Sequence, residues 1–589
     1  MAIRNLCLVA LILLFAAGCH DSKDEVPPGP PPQQVEHPVQ DVKPLVRATE
    51  SIADPQRPPI DPLPVFQTVG AESGFEFERF DDVQGQRRII EVNGGGVGLI
   101  DYDHDGWLDI FLTNGCRLPL SLNDQSHPSA LFRTFPGMKF RSVAESALVQ
   151  QFGHATGCAV GDFDNDGFDD LYVCTFRENI LWMNNGDGTF TEATPEPLKV
   201  PGWSTSVAAA DLNLDGVLDL YVVNYLVESD SEPRLCLNAA APDGFEQCPP
   251  ALFDGVDDVL LLGDGEGGFV DATESFGMHG LRGKGLGVVV SNLDDDDYPE
   301  IYVANDGQAN FLFDAVVDDA GKLESYREIA LAAGAALSES GFAQASMGVT
   351  SGDANGDGLS DLYMSHFYND SNTLYENLGG LTLEDASRRS RLGPPSKRSL
   401  GFGTQFFDAN ADGWLDVMVT NGHIEDHSWM EHGEPFFQRP QLFLNEGQGK
   451  FAESSHWAGE YFQQERMGRG LAIGDLDHDG RLDVVCANQF GPSAILRNIT
   501  DGARLQIVRV IGRTANRSGI GTQFRCESKP GCKIRELTGG GSFQSANAHH
   551  AALSGSIDEW TIHNLAAGSS PQYGVWMLPD GQVAVLERR

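Results

Sequence analysis

From residue 63 to about 500 the chain repeats one rhythm. A short apolar run rich in glycine leads into an acidic loop, and a second apolar run with alternating pattern leaves it. GGGVGLI and RGLAIG enter such loops; DIFLTN, DLYVVN and DVMVTN leave them. Alternation at period two with β-branched residues predicts strands. Two further signals follow in most repeats. One is a strand such as NILW from 179, NTLY from 372 or QLFL from 441. The other is a glycine turn and a last strand opening on an aromatic, as in NNGDGTFTEAT and NEGQGKFAESS. Each unit is therefore predicted to be four short antiparallel strands, with the acidic loop joining the first two. Such units in radial series make a β-propeller.

The loops begin at residues 101, 162, 211, 292, 353, 408 and 475, between 49 and 81 residues apart, as expected of an array of supersecondary units. Signatures of the fourth strand open at Phe66, Phe140, Phe190, Phe269, Tyr326, Leu383 and Phe451, and the first of these precedes every loop. The seventh repeat lacks one. The segment from Phe66 to Phe75 is thus expected to complete the last blade and close a ring of seven, removing its open edge. The predicted fold is all-β: a seven-bladed propeller over 63–500 and a small β domain over 501–589.

Within each loop, positions 1, 3, 5 and 9 carry oxygen ligands. They are Asp101, Asp103, Asp105 and Asp109; Asp162, Asp164, Asp166 and Asp170; Asp211, Asn213, Asp215 and Asp219; Asn292, Asp294, Asp296 and Glu300. The series continues with Asp353, Asn355, Asp357 and Asp361; Asp408, Asn410, Asp412 and Asp416; Asp475, Asp477, Asp479 and Asp483. Carboxylates this close repel one another unless a cation lies between them. A flexible shell of oxygens suits Ca²⁺ better than Mg²⁺, so up to seven structural calcium ions are expected. The fourth loop departs most, with Asn292 at position 1, Asp297 where the others have glycine, and Glu300 at position 9. It is expected to be the weakest site. Position 12 is Leu112, Val173, Val222, Val303, Met364, Val419 or Cys486, which excludes an EF-hand, where an acid is needed there.

These loops and strands resemble the FG-GAP/VCBS repeats of integrin α-type propellers. The resemblance implies calcium held by the side chains at positions 1, 3, 5 and 9, with the position-7 carbonyl completing the shell. Beyond Ala503, NRSGIGTQ from 516 and TGGGSFQSAN from 538 resemble the ASPIC/UnbV domain of cartilage-acidic-protein-like chains. NGH at 421–423 fits that family too, whereas AALSGS from 551 departs from its usual Phe-Gly-Leu-Gly turn.

Charge narrows the partners. Lys and Arg total 40 against 85 Asp and Glu, a formal net charge of −45, which argues against nucleic acid. At the N-terminus, Arg4 precedes a 12-residue apolar run, Leu6 to Ala17, too short to span a membrane. Ala16-Ala17-Gly18-Cys19 resembles a bacterial lipobox, which implies a signal peptide over 1–19, lipidation at Cys19 and, with His20 following, the outer membrane. Residues 20–62, including VPPGPPPQQ, read as an extended tether. An exported chain can hold disulfides. Cys236 with Cys248, and Cys526 with Cys532, are the candidates; Cys158 and Cys174 are placed to face each other across a hairpin or to remain buried thiols, as are Cys116 and Cys486.

Other chemistry is weaker. His423-Ile-Glu-Asp-His427 lacks the zincin spacing and reads as a solvated loop. GGGVG from 94 and GKGLG from 283 precede strands rather than helices and read as tight turns, not phosphate loops. His549 and His550 read as exposed. No catalytic constellation can be placed. The expected function is a membrane-anchored, calcium-binding, non-enzymatic scaffold for a protein or glycan partner, held to the membrane by its lipid alone. Contacts are expected at 225–256 and 422–440, where Trp429, Phe436 and Phe437 are candidate exposed aromatics. The alternatives are a polysaccharide lyase or hydrolase, which would need further acids or bases at the channel mouth, and a structural subunit of an envelope assembly.

Overall fold

The computed structural model describes residues 57–121, 123–294, 296–526, 531–564, 573–578 and 581–587. The expected signal peptide, Cys19 and the tether up to residue 56 lie outside them.

Four-stranded antiparallel sheets recur seven times along the chain. Their first strands are Val97–Ile100, Ala155–Gly161, Gly202–Ala210, Gly285–Ser291, Ser346–Gly352, Gly401–Phe407 and Gly468–Gly474. Every one ends on the residue before an acidic loop, and position 9 of each loop opens the next strand. Ile100 thus pairs with Asp109, Gly161 with Asp170, and Gly474 with Asp483. The short strand Phe66–Thr68 lies beside Ala494–Asn498, with Phe66 opposite Asn498. The earliest strand therefore completes the last sheet, as the position of its signature predicts.

Each first strand touches the first strand of the next sheet, and the seventh touches the first, so the series closes on itself. The glycine runs make this approach possible. A Cβ on Gly157 would lie 2.3 Å from the Thr205 carbonyl oxygen, and one on Gly470 only 2.2 Å from that of Gly95. In the third sheet hydroxyls take over: Thr205 donates to the Gly285 carbonyl at 2.8 Å and Ser206 to that of Leu286 at 2.6 Å. The glycines of GGGVG and GKGLG serve this close packing at the waist of the ring. Between the sheets lie the apolar faces, with Tyr221, Phe313 and Val288 in one cluster and Phe75, Phe132 and Phe140 in another.

The described residues after 501 form two small sheets and an inserted segment, several of whose residues bond to the ring. Leu505–Ile511 pairs antiparallel with His550–Ser554 and parallel with Val583–Glu587, which in turn pairs with Tyr573–Met577. Thr522–Arg525 lies between Ile534–Glu536 and Thr561–Asn564. Between these two small sheets the chain makes an excursion into the axis of the ring. Gly539–Gly540 pairs with Val289 and Val290 of the fourth sheet. Ser542 and Val349 exchange backbone hydrogen bonds of 2.6 and 3.1 Å, and the Ala546 amide donates to Val97 at 2.8 Å. Phe543 stands at the turn, fully buried against Phe402 with ring centroids 5.0 Å apart. Strands facing an axial channel leave polar backbone groups to satisfy, and this inserted segment partners several of them.

Candidate metal centres

Each acidic loop is shaped by its own side chains. The position-1 carboxylate accepts from the amides of positions 5 and 6: Asp162 takes Asp166 at 3.0 Å and Gly167 at 2.8 Å. Asp211, Asp408 and Asp475 do the same in their loops. Position 5 turns back on position 7, as Asp166 does on the Phe168 amide at 2.8 Å. Gly167 at position 6 has φ 103°, a conformation a side chain would strain. Position 9 accepts the position-2 amide and a second amide from the third strand: Asp170 takes Phe163 at 2.9 Å and Asn184 at 2.8 Å.

The folded loops draw carboxylates together beneath the strand ends. Oxygen atoms of Asp101, Asp103 and Asp109 lie within 4.8 Å of one another, as do those of Asp162, Asp164 and Asp170, and of Asp475, Asp477 and Asp483. The position-5 aspartates are not in these groups. In the third, fifth and sixth loops, position 3 is Asn213, Asn355 or Asn410, whose amides donate to the position-5 carboxylates at 2.9–3.0 Å. In the fourth loop the Asn292 side-chain amide donates to the Asp296 carbonyl at 2.5 Å. Asp294 and Glu300 are joined instead by Asp314, from the strand Phe311–Val317. Asp314 is missed by loop spacing because it comes from a different strand; only its acidity within FLFDAVV marks it. Asp297, at position 6, is not left-handed.

Burial and mutual repulsion set the charge state of these groups. Desolvation pushes Asp162, Asp211, Asp408 and Asp475 up to about 7 and Asp170 to about 8. Asp109, Asp219, Glu300, Asp361, Asp416 and Asp483 are pushed well above the usual carboxylate range, burial again being the largest cause. Several oxygens within the clusters are buried with no hydrogen-bond partner: Asp103 Oδ1, Asp109 Oδ2, Glu300 Oε1 and Asp477 Oδ1. Orphaned carboxylate oxygens converging on one point are the donor set a hard divalent cation takes. The residues therefore fit a metal ion.

The C-terminal residues cover this face and reach all seven loops. Arg509 meets Asp101 at 3.1 Å, Arg517 approaches Asp162 at 3.6 Å and Arg535 lies 3.9 Å from Asp408. The Lys533 amide donates to Asp353 at 2.7 Å, and the Asn292 amide to Glu536 at 3.0 Å. Leu505 donates to the Gly480 carbonyl at 2.7 Å, and Gly216 leaves room for the Thr514 carbonyl, which a Cβ would meet at 2.2 Å. A second link runs between neighbouring sheets. Asn184, Asn377, Asn445 and Asn498, which end third strands, donate to the position-2 carbonyls Tyr102, Leu293, Ala354 and Ala409 at 2.6–2.9 Å. The asparagine in NNGDG and NEGQG is the sequence signal for that bridge.

The remaining candidates divide. Cys236 and Cys248 form a disulfide in the insertion of the third sheet. Cys526 and Cys532 are not bridged; Cys532 is a buried thiol donating to the Ile534 carbonyl. Cys116, Cys158, Cys174 and Cys486 are buried thiols, and Cys158 lies opposite Val173 rather than Cys174. The 423–427 stretch is not a solvated loop at its start: His423 is buried, and His427 is held between Glu425 at 3.2 Å and Glu434 at 2.8 Å. His549 and His550 are not exposed; they line the cleft between the loop face and the C-terminal sheets beside Asp101 and Asp169. Of the three aromatics on the 422–440 loop, Phe437 is exposed while Trp429 and Phe436 are half-buried. Among the described residues, no helix is long and apolar enough to cross a membrane.

The FG-GAP-like repeat family matches residues 101–173, 162–222 and 353–419. Cartilage acidic protein 1 of Homo sapiens is 24% identical over 454 residues, covering 71% of this chain and 60% of that protein. The Mus musculus protein of the same name is 26% identical over 238 residues, or 37% of this chain and 33% of that one. The chain thus spans less than two thirds of the curated relatives it matches. Among solved structures, an Agrocybe aegerita lectin recognising terminal N-acetylglucosamine is 12% identical, covering 69% of this chain and 90% of that one, with a TM-score of 0.34. An exotype rhamnogalacturonan lyase is 10% identical, covering 78% and 83%, with a TM-score of 0.29. The chain is a β-propeller that carries FG-GAP-like repeats over residues 101–222 and 353–419 and is similar over 71% of its length to cartilage acidic protein 1.

Proposed function

We propose that the chain is an exported binding scaffold whose ring is braced by calcium at the acidic loops. In that role Cys19 would anchor it through lipid, with the extended residues 20–62 as spacer, in the outer membrane. The observation that carries the reading is the convergence of buried, partnerless carboxylate oxygens at loops repeated around a closed ring. Calcium would be structural here: the carboxylates are packed beneath the C-terminal residues, and the insertions at 225–256 and 422–440 lie at the other end of the strands. That other end is where a protein or glycan partner would meet the scaffold. The C-terminal residues, by their resemblance to the ASPIC/UnbV domain, would act as the cap of the calcium face. The role proposed is binding, not catalysis.

At tenfold excess over its dissociation constant, each ion adds roughly 1.4 kcal/mol. Several sites together would therefore rival a domain's whole stability. Thermal melts with a chelator and with added calcium test this. A large upward shift on adding calcium, with several ions retained in native mass spectrometry, is expected. Identical melts and no retained ion would end the proposal.

A further inference from the structure

The end of the ring remote from the acidic loops holds a cavity of about 410 Å³, within the range of small-molecule sites. The starts of first strands and the ends of second strands form its floor and walls, with Leu286, Met347, Phe367 and Phe402 supplying apolar surface. Phe543 of the inserted segment packs with this cluster from below. The disulfide-bonded insertion and the 422–440 loop close the sides.

The charged groups around the cavity fall into two sets. On one side they are matched: Glu425 takes Arg87 at 2.6 Å, and His427 lies between Glu425 and Glu434. On the other side two are not. Lys284 is 6% exposed, and its ammonium donates to the Pro250 carbonyl at 2.8 Å without an ion pair among the described residues. Asp306 is 7% exposed and accepts from the neutral Tyr225 hydroxyl at 2.5 Å. The Asp306 amide donates to the Lys284 carbonyl at 2.8 Å, so the two residues stand opposite each other on neighbouring strands. They nonetheless form no ion pair with each other. Burial pushes Asp306 up to about 6, with Tyr225 and Lys284 holding it down.

Two buried opposite charges that face one cavity without direct contact are costly to desolvate, and a ligand that bridges them recovers part of that cost. A simple anion or a simple cation would satisfy one of these residues and crowd the other with like charge. A polyol would set hydroxyls against the apolar walls. A molecule bearing an ammonium and a carboxylate on one carbon matches both residues and leaves its side chain for the apolar part. We propose that this cavity binds a zwitterionic α-amino acid with a large apolar or aromatic side chain, its carboxylate on Lys284 and its ammonium on Asp306. This gives the binding-scaffold reading a ligand class. It does not depend on the acidic loops, which lie at the other end of the strands.

Titration calorimetry on the full chain in calcium tests it with tryptophan, phenylalanine and leucine, and with tryptamine and indole-3-propionate as single-charge analogues of tryptophan. Tryptophan is expected to bind at least about tenfold more tightly than either analogue. Lys284→Met should remove the margin over tryptamine, and Asp306→Asn the margin over indole-3-propionate. Met347→Trp, which fills the cavity and leaves both charges in place, should abolish binding with the thermal melt preserved. Equal affinity for a single-charge analogue, binding that survives Met347→Trp, or no binding by any of the amino acids would overturn the proposal. None of these outcomes bears on calcium bracing, which is read from the melt with and without chelator.

Discussion

Stripping divalent ions should leave a protein whose stability falls as the pH rises, opposite to the usual behaviour of a carboxylate-rich chain. Asp211, Asp408 and Asp475 are deeply buried, and burial pushes each up to about 7 from an ordinary 3.8. A carboxyl with a folded pKa above its unfolded one holds more protons when folded. Its contribution is fully present below about pH 4 and is lost as the pH rises through about 7. Between about pH 5.5 and about pH 8 one such group gives up roughly 2 kcal/mol. Three loops acting independently would give up about 6 kcal/mol, and the position-9 partners, shifted in the same direction, add to that loss. Asp162 shifts in the same direction. Bound calcium reverses the preference, since it requires the ionised form and competes with protons. Urea midpoints at the two pH values, in chelator and in millimolar calcium, read this out. A chelated protein as stable at pH 8 as at pH 5.5, or a calcium increment that does not grow with pH, would refute the reasoning.

Further outcomes follow from single side chains. Phe543→Ala, at a position with no exposed surface, should cost about 3–5 kcal/mol by calorimetry; a neutral result would mean the axial segment is not seated as described. Asp314→Asn should lower the calcium stoichiometry by one in native mass spectrometry. Alkylation of the denatured, unreduced protein should modify Cys526 and Cys532 but spare Cys236 and Cys248. Removing that bridge with Cys248→Ser should cost roughly 3 kcal/mol or less, felt in the insertion.

Much of the ring was legible in the chain because each unit states its own strands. Alternation predicts the pairs, and the early aromatic at Phe66 predicts the closure, since a fourth strand is otherwise missing after AILRN. The loops were legible for a similar reason: ligand spacing within nine residues is local. What escaped is non-local or aperiodic. Asp314 reaches the fourth cluster from another strand, and TGGGSFQSANAHH has neither alternation nor a helical period to mark it as filling the axis. His423 reads as polar and exposed, yet neighbouring loops cover it. Local pattern does not report which surfaces other segments will occupy.

The axial hairpin has a consequence for how the molecule is made. The strand Phe66–Thr68 that seals the seventh sheet leaves the ribosome before the other strands of the ring, and the residues that fill the hub leave it after them all. While synthesis is under way, the inner edges therefore wait without their permanent occupant. A nascent chain stalled near residue 500 would hold all seven sheets yet have an unlined hub, and it is at this stage that a holding chaperone would have the most to grip.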